Sequence, residues 1–132
     1  MVIPDLRSLF FSALGERRKK MQWIIGSTDA IMQEGYLLAD FVNLLGKPLN
    51  WISLQRALAS VAHVNDISIY SLRVPMSARE AARKVSVGDF NEFRVCLSLH
   101  DSTEWTFFSD SRKEFIRLAE LLTSNVNDAI IP

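Results

Sequence analysis

The chain has a single cysteine, Cys96. An internal disulfide is therefore excluded, and a lone thiol suits a reducing compartment, so the cytoplasm is the expected setting. Charge of neither sign is in excess: fifteen Lys and Arg stand against fifteen Asp and Glu. That balance excludes a whole-chain basic field of the kind nucleic acid selects, so no nucleic-acid partner is expected, although a local patch stays open. Long apolar runs are missing too. The longest, residues 36–45, is broken by Asp40 and Asn43 and falls short of the roughly eighteen residues of a spanning helix. The opening residues do not read as a secretory signal, because the basic cluster follows the apolar stretch instead of preceding it.

Catalytic and metal-binding patterns are equally scarce. The two histidines, His63 and His100, have no ligand spacing with cysteine, histidine or a paired carboxylate. Gly46-Lys47 lacks the preceding glycine of a phosphate-cradling loop and runs into Pro48. There is no Gly-x-Ser-x-Gly elbow. Cys96 shares a strand face with His100, but the rise of a strand puts them roughly 13 Å apart, too far for a thiol and its base. A small packed thiol is the better reading. The chain is expected to be non-enzymatic, with no cofactor and no metal.

What is present reads most plainly near the end. Phe93, Val95, Leu97 and Leu99 alternate with Arg94, Cys96, Ser98 and His100, the period of a strand with one buried face. Asp101-Ser102-Thr103-Glu104 supplies turn chemistry, and Trp105 to Phe108 suits a returning strand. Ser111-Arg112-Lys113-Glu114 is a capping box, and Phe115, Leu118, Ala119, Leu122 and Val126 lie on one helical face behind it.

Earlier in the chain, Leu6, Leu9, Phe10, Ala13 and Leu14 predict a helix over residues 5–21 capped by Asp5, with Gly15 as a weak point. Ile31, Glu34, Leu38, Phe41, Val42 and Leu45 suit a helix over 29–45 stopped by Gly46, and Asn50 caps a second over 50–64. The period favours these helices over short strands at 35–38 and 51–54. Residues 67–74 read as a strand ended by Pro75, and Ser77-Ala78-Arg79-Glu80 is a second capping box, opening a helix to about Lys84. The expected class is α+β: N-terminal helices, then a small antiparallel sheet of three or four strands closed by a C-terminal helix. Residues 1–132 form one domain, with 1–22 a possible helical extension. The expected core holds Leu9, Trp51, Leu58, Ile67, Ile69, Val95, Leu97, Phe107, Phe115, Leu118 and Leu122.

Two stretches are candidates for binding. The basic run Arg17, Arg18, Lys19 and Lys20 behind an apolar stripe suits contact with an anionic membrane surface, or simply the solvated end of a core helix. In the central segment, Leu37, Phe41, Leu44 and Ile52 exceed what one helical stripe buries. They are the expected interface of a homodimer or of a protein partner.

The unit formed by residues 93–99, 104–109 and 111–124 resembles the end of a pleckstrin-homology domain, where the last strands lead into one long amphipathic helix. Gln33-Glu34-Gly35-Tyr36-Leu37-Leu38 is similar to that family's opening strand. This chain has Phe115 where the family usually has a helical tryptophan, and no basic phosphoinositide pattern surrounds Lys47. The resemblance implies a protein-binding scaffold and does not extend to lipid-head recognition. The function expected on these grounds is a small cytoplasmic interaction module or adaptor, with a peripheral membrane binder as the alternative.

Overall fold

A computed structural model describes residue 8 and residues 12–125, with side chains through 122. Its centre is a four-stranded antiparallel sheet in the order β1 (Ile24–Met32), β2 (Val61–Leu72), β3 (Phe93–His100), β4 (Glu104–Ser109). The helices are α1 (Leu38–Val42), α2 (Trp51–Ala59), α3 (Ala78–Ser86) and α4 (Arg112–Asn125), with a 3-10 turn at Gly15–Lys20. The α+β class therefore holds. The sheet is an open meander in which every strand pairs with its neighbour in sequence.

One sheet face carries the main core. Ile67, Ile69, Val95, Leu97, Leu99, Trp105 and Phe107 are buried there against Trp51, Leu54 and Leu58 of α2 and Leu118 and Leu122 of α4. Of the expected core, Leu9 lies outside the described residues and Phe115 is half-buried, its ring 5.2 Å from that of Phe107. The other face holds a smaller cluster of Tyr70, Ala81, Phe93 and Cys96, covered by α3.

Three expectations are corrected. The helix over 29–45 does not form: residues 24–32 are a strand, and Gly35 at φ +88° and the extended Leu37 cannot continue a helix. Only the five residues of α1 are helical, with no side-chain cap. The helical spacing of Ile31 to Leu45 was the sum of a strand end and one short turn of helix. The short strands weighed at 35–38 and 51–54 are absent as well. The helix over 50–64 is capped by Asn50, whose side chain accepts from the Ser53 amide at 2.8 Å, but it ends at Ala59. From Val61 onward the β-branched, alternating residues join β2 and make it the longest strand. Helix formation at the N-terminus is seen at residues 12–14 before Gly15, at φ +53°, turns the chain into 3-10 geometry; the rest of the expected stripe lies outside the described residues.

The third correction concerns Phe93. It does not share a face with Val95, Leu97 and Leu99 but packs with Cys96 on the other side. The cause is a β-bulge: Ser71 pairs with Val95 and Leu72 with Phe93, so Arg94 is an extra residue with no partner on β2. One inserted residue reverses every side chain beyond it.

Candidate functional site

The expected interface residues divide between two openings. Leu37, Phe41 and Leu44 line a cleft of about 330 Å³ between α1 and α2, together with Tyr36, Asp40 and Arg56. Leu37 is 66% exposed, Leu44 is half-buried and Phe41 is buried. Ile52, 58% exposed, belongs to a separate hollow beside Trp51 and Arg18. Around the first cleft, Tyr36, Leu38 and Val42 are also exposed. The reason is local: α1 is too short to hide more than one residue of its turn and a half, and Phe41 takes that place.

The basic run is dispersed. Arg17 pairs with Asp110 and, at 2.8 Å, with Glu114 of α4, whose carboxylate also accepts from Ser109 Oγ at 2.9 Å. Arg18 is buried, donates to the Gly15 carbonyl and lies 5.3 Å from the Trp51 ring centroid. Lys19 bonds Glu16, and Lys20 alone reaches out without an ion pair among the described residues. A 3-10 turn sends consecutive side chains about 120° apart, which is why four adjacent cations make no common surface. The Arg17 network also explains why the Ser111 capping box is half made. The Glu114 amide donates to Ser111 Oγ at 3.4 Å, but the Glu114 carboxylate faces Arg17 and Ser109.

Cys96 is fully enclosed, and burial pushes its thiol up to about 12. A protonated, inaccessible thiol is neither nucleophile nor ligand. Tyr70 beside it is likewise raised by burial, partly offset by a hydrogen bond to Ser68.

One cluster was invisible in the sequence. The register of β2 and β3 brings Asp66 to His100, with Nδ1 2.8 Å from Asp66 and Nε2 3.2 Å from Asp101. These are the three residues among those described whose ligand atoms gather closely enough for a metal ion. Both imidazole nitrogens already face carboxylates, and the group is largely exposed, so it serves as a strap across the hairpin. Asp101 and Ser102 both adopt positive φ there, and the Asp101 amide donates to Asp66 at 3.0 Å.

The structure also contains a groove that no single stretch of sequence announces. It lies where β1 begins, β2 ends and β3 begins, has a volume of about 730 Å³, and is lined by Lys20, Arg73 and Arg94 over apolar side chains. Among the described residues, no helix is long and apolar enough to cross a membrane. Comparison with family models, with curated proteins and with solved structures finds no match for the chain.

Proposed function

We propose that this chain is a small cytoplasmic interaction module that works by contact and not by catalysis, through the apolar surface around α1. One observation supports this above the others. Tyr36, Leu37, Leu38 and Val42 are each at least half exposed beside an apolar cleft, and contiguous apolar area left in water marks an interface. The strand–strand–helix end formed by β3, β4 and α4 is where the chain resembles pleckstrin-homology domains, and that resemblance implies a protein-binding scaffold. The lone buried thiol suits the cytoplasm.

A second copy of the chain is the partner to test first. The cleft holds one acid, Asp40, and one base, Arg56, neither in an ion pair among the described residues. An interface with two-fold symmetry offers each Asp40 the partner's Arg56 while the leucines meet. Zero net charge leaves no repulsion to oppose the contact. Light scattering at micromolar concentration is expected to give about twice the 15.0 kDa of one chain, and Leu37→Asp with Leu38→Asp to return it to one. A 15.0 kDa monomer that stays soluble and folded at that concentration rejects self-association. Strong sedimentation with anionic vesicles, lost on neutralising Lys19 and Lys20, the two exposed cations of the basic run, replaces the module by a membrane binder.

A further inference from the structure

We propose that the groove at the β1–β2–β3 end of the sheet is a docking site for an acidic, partly apolar peptide segment of a partner protein. Its carboxylates would meet Lys20 and Arg94, and its apolar side chains would lie on the floor between them. The charge is the first argument. Three cations line the groove and no carboxylate does, among the described residues. Arg73 is held by Asp110 at 3.0 Å, but Lys20 and Arg94 are exposed and form no ion pair there. In a chain of zero net charge, such a one-sided site selects its opposite.

The floor is the second. Met21, Ile24, Leu72, Val74 and Met76 form it, and Val74 is 44% exposed although apolar. Methionine adapts its shape to varied side chains, and methionine and arginine are enriched at protein interfaces. The third is the backbone. The bulge that turns Phe93 to the far face also leaves Arg94 without a partner on β2, and bulges commonly re-aim a side chain at a working position.

Other occupants fit less well. Inorganic phosphate gains nothing from an apolar floor. Single-stranded nucleic acid stacks its bases on aromatic rings, and none lines the groove. The volume of about 730 Å³ lies within the range of sites that enclose a ligand, about 300–1,000 Å³.

The test is to pan a random-peptide phage library on the full chain, then titrate the enriched peptides, synthesised with a fluorophore, by polarisation. Enrichment of Asp- and Glu-containing peptides with apolar residues is expected. Lys20→Glu with Arg94→Glu, or Arg94→Ala alone as the milder variant, is expected to weaken binding by about tenfold or more, with an unchanged melting curve because both side chains are exposed. Raising salt from about 0.1 M to about 1 M, which shortens the Debye length from about 10 Å to about 3 Å, is expected to weaken it as well. Leu37→Asp with Leu38→Asp is expected to leave this binding intact, which separates the groove from the α1 surface. No enrichment, enrichment of peptides without acidic residues, or full binding by the Lys20→Glu/Arg94→Glu variant overturns the proposal. So does sedimentation with phosphatidylserine vesicles that this variant abolishes, since it assigns the cations to lipid.

Discussion

The two faces of the sheet differ in how they are closed. One is mostly apolar, from Val95 and Ile69 through Leu97 and Ile67 to Leu99 and Trp105, with the buried Ser71 and Ser109 flanking Val95, and lies under α2 and α4. The other is graded. At the α3 end Tyr70, Cys96, Phe93 and Ala81 are buried, with the Phe90 ring stacked on Phe108 at 5.0 Å. In the middle Ser68, Ser98 and Thr106 are half-covered, and at the hairpin Asp66, His100 and Glu104 meet water. A nine-residue helix spans only about 13 Å at 1.5 Å per residue, so α3 cannot cover strands of eight to twelve residues. The polar half of that face is therefore a consequence of helix length, and the residues there form a solvated surface matched to it.

The largest expected effect falls on the covered face. Leu118 and Leu122 are fully buried between α4 and the sheet. Truncating either to alanine leaves a cavity and is expected to cost about 2–5 kcal/mol in denaturant unfolding. A loss below 1 kcal/mol for both, against the order of magnitude expected for buried leucine, would break the ranking of the two faces.

The graded face is expected to respond next. A Cβ on Gly26 would stand 3.0 Å from the Tyr70 ring and 3.3 Å from Ser68 Cβ. Tyr70 has little room to retreat, because its ring packs edge-on against Phe93 at 5.7 Å. Gly26→Ala is expected to destabilise by about 1–3 kcal/mol, the usual consequence of overpacking, measured as a shift in the urea midpoint. An unchanged midpoint would mean that this end of the face is loosely packed.

The same end should be sensitive to alkali. The Cys96 thiol is raised by burial from 9.0 to about 12, and Tyr70 is raised in the same direction. A raised acid favours the folded state while it stays protonated, so its contribution is complete below pH 9 and is lost as pH climbs toward 12. Stability should fall by up to about 1.4 kcal/mol per pH unit in that window. At pH 8 a thiol reagent should label Cys96 only as fast as the protein opens. Labelling at the rate of a free thiol would contradict the enclosure.

How far the sequence could anticipate this division depended on the range of the contacts. The hairpin and α4 were legible because β3 and β4 pair across a short turn and the period of Val95 to Leu99, the turn residues and the cap and stripe of α4 are local signals. Strand β1 was not, because its partner β2 begins about thirty residues later, and Ile31, Leu38 and Phe41 fall at helical spacing across a turn. The second face was hidden by the bulge at Arg94, for which the sequence carries no turn or glycine signal. The groove draws on residues 20–24, 46–48, 72–76 and 94, four stretches that only the sheet brings together. Its one visible mark was Pro75 ending a strand. The dispersal of Arg17 to Lys20 followed from Gly15, read as a weak point, taking positive φ and setting a 3-10 turn.

The smallest effect makes the sharpest comparison, because one chemical change can be placed on both faces. Ser109 lies on the covered face, 5% exposed, where its hydroxyl donates to Glu114 and accepts from the Ser111 amide at 3.1 Å. Ser98 lies on the graded face, half-covered, its hydroxyl 3.0 Å from that of Ser68. Each forms real hydrogen bonds, so a count of bonds predicts similar losses. Water decides otherwise. Replacing Ser109 by alanine strips a partner from a carboxylate whose side chain is only 7% exposed, and is expected to cost about 1–3 kcal/mol. Replacing Ser98 leaves Ser68 beside the solvated half of the sheet, where water takes the vacant place, and the loss is expected to stay near 0.5 kcal/mol. Chemical denaturation of the two variants side by side checks the difference. Equal losses would mean that α3 and its connections seal the second face as thoroughly as α4 seals the first.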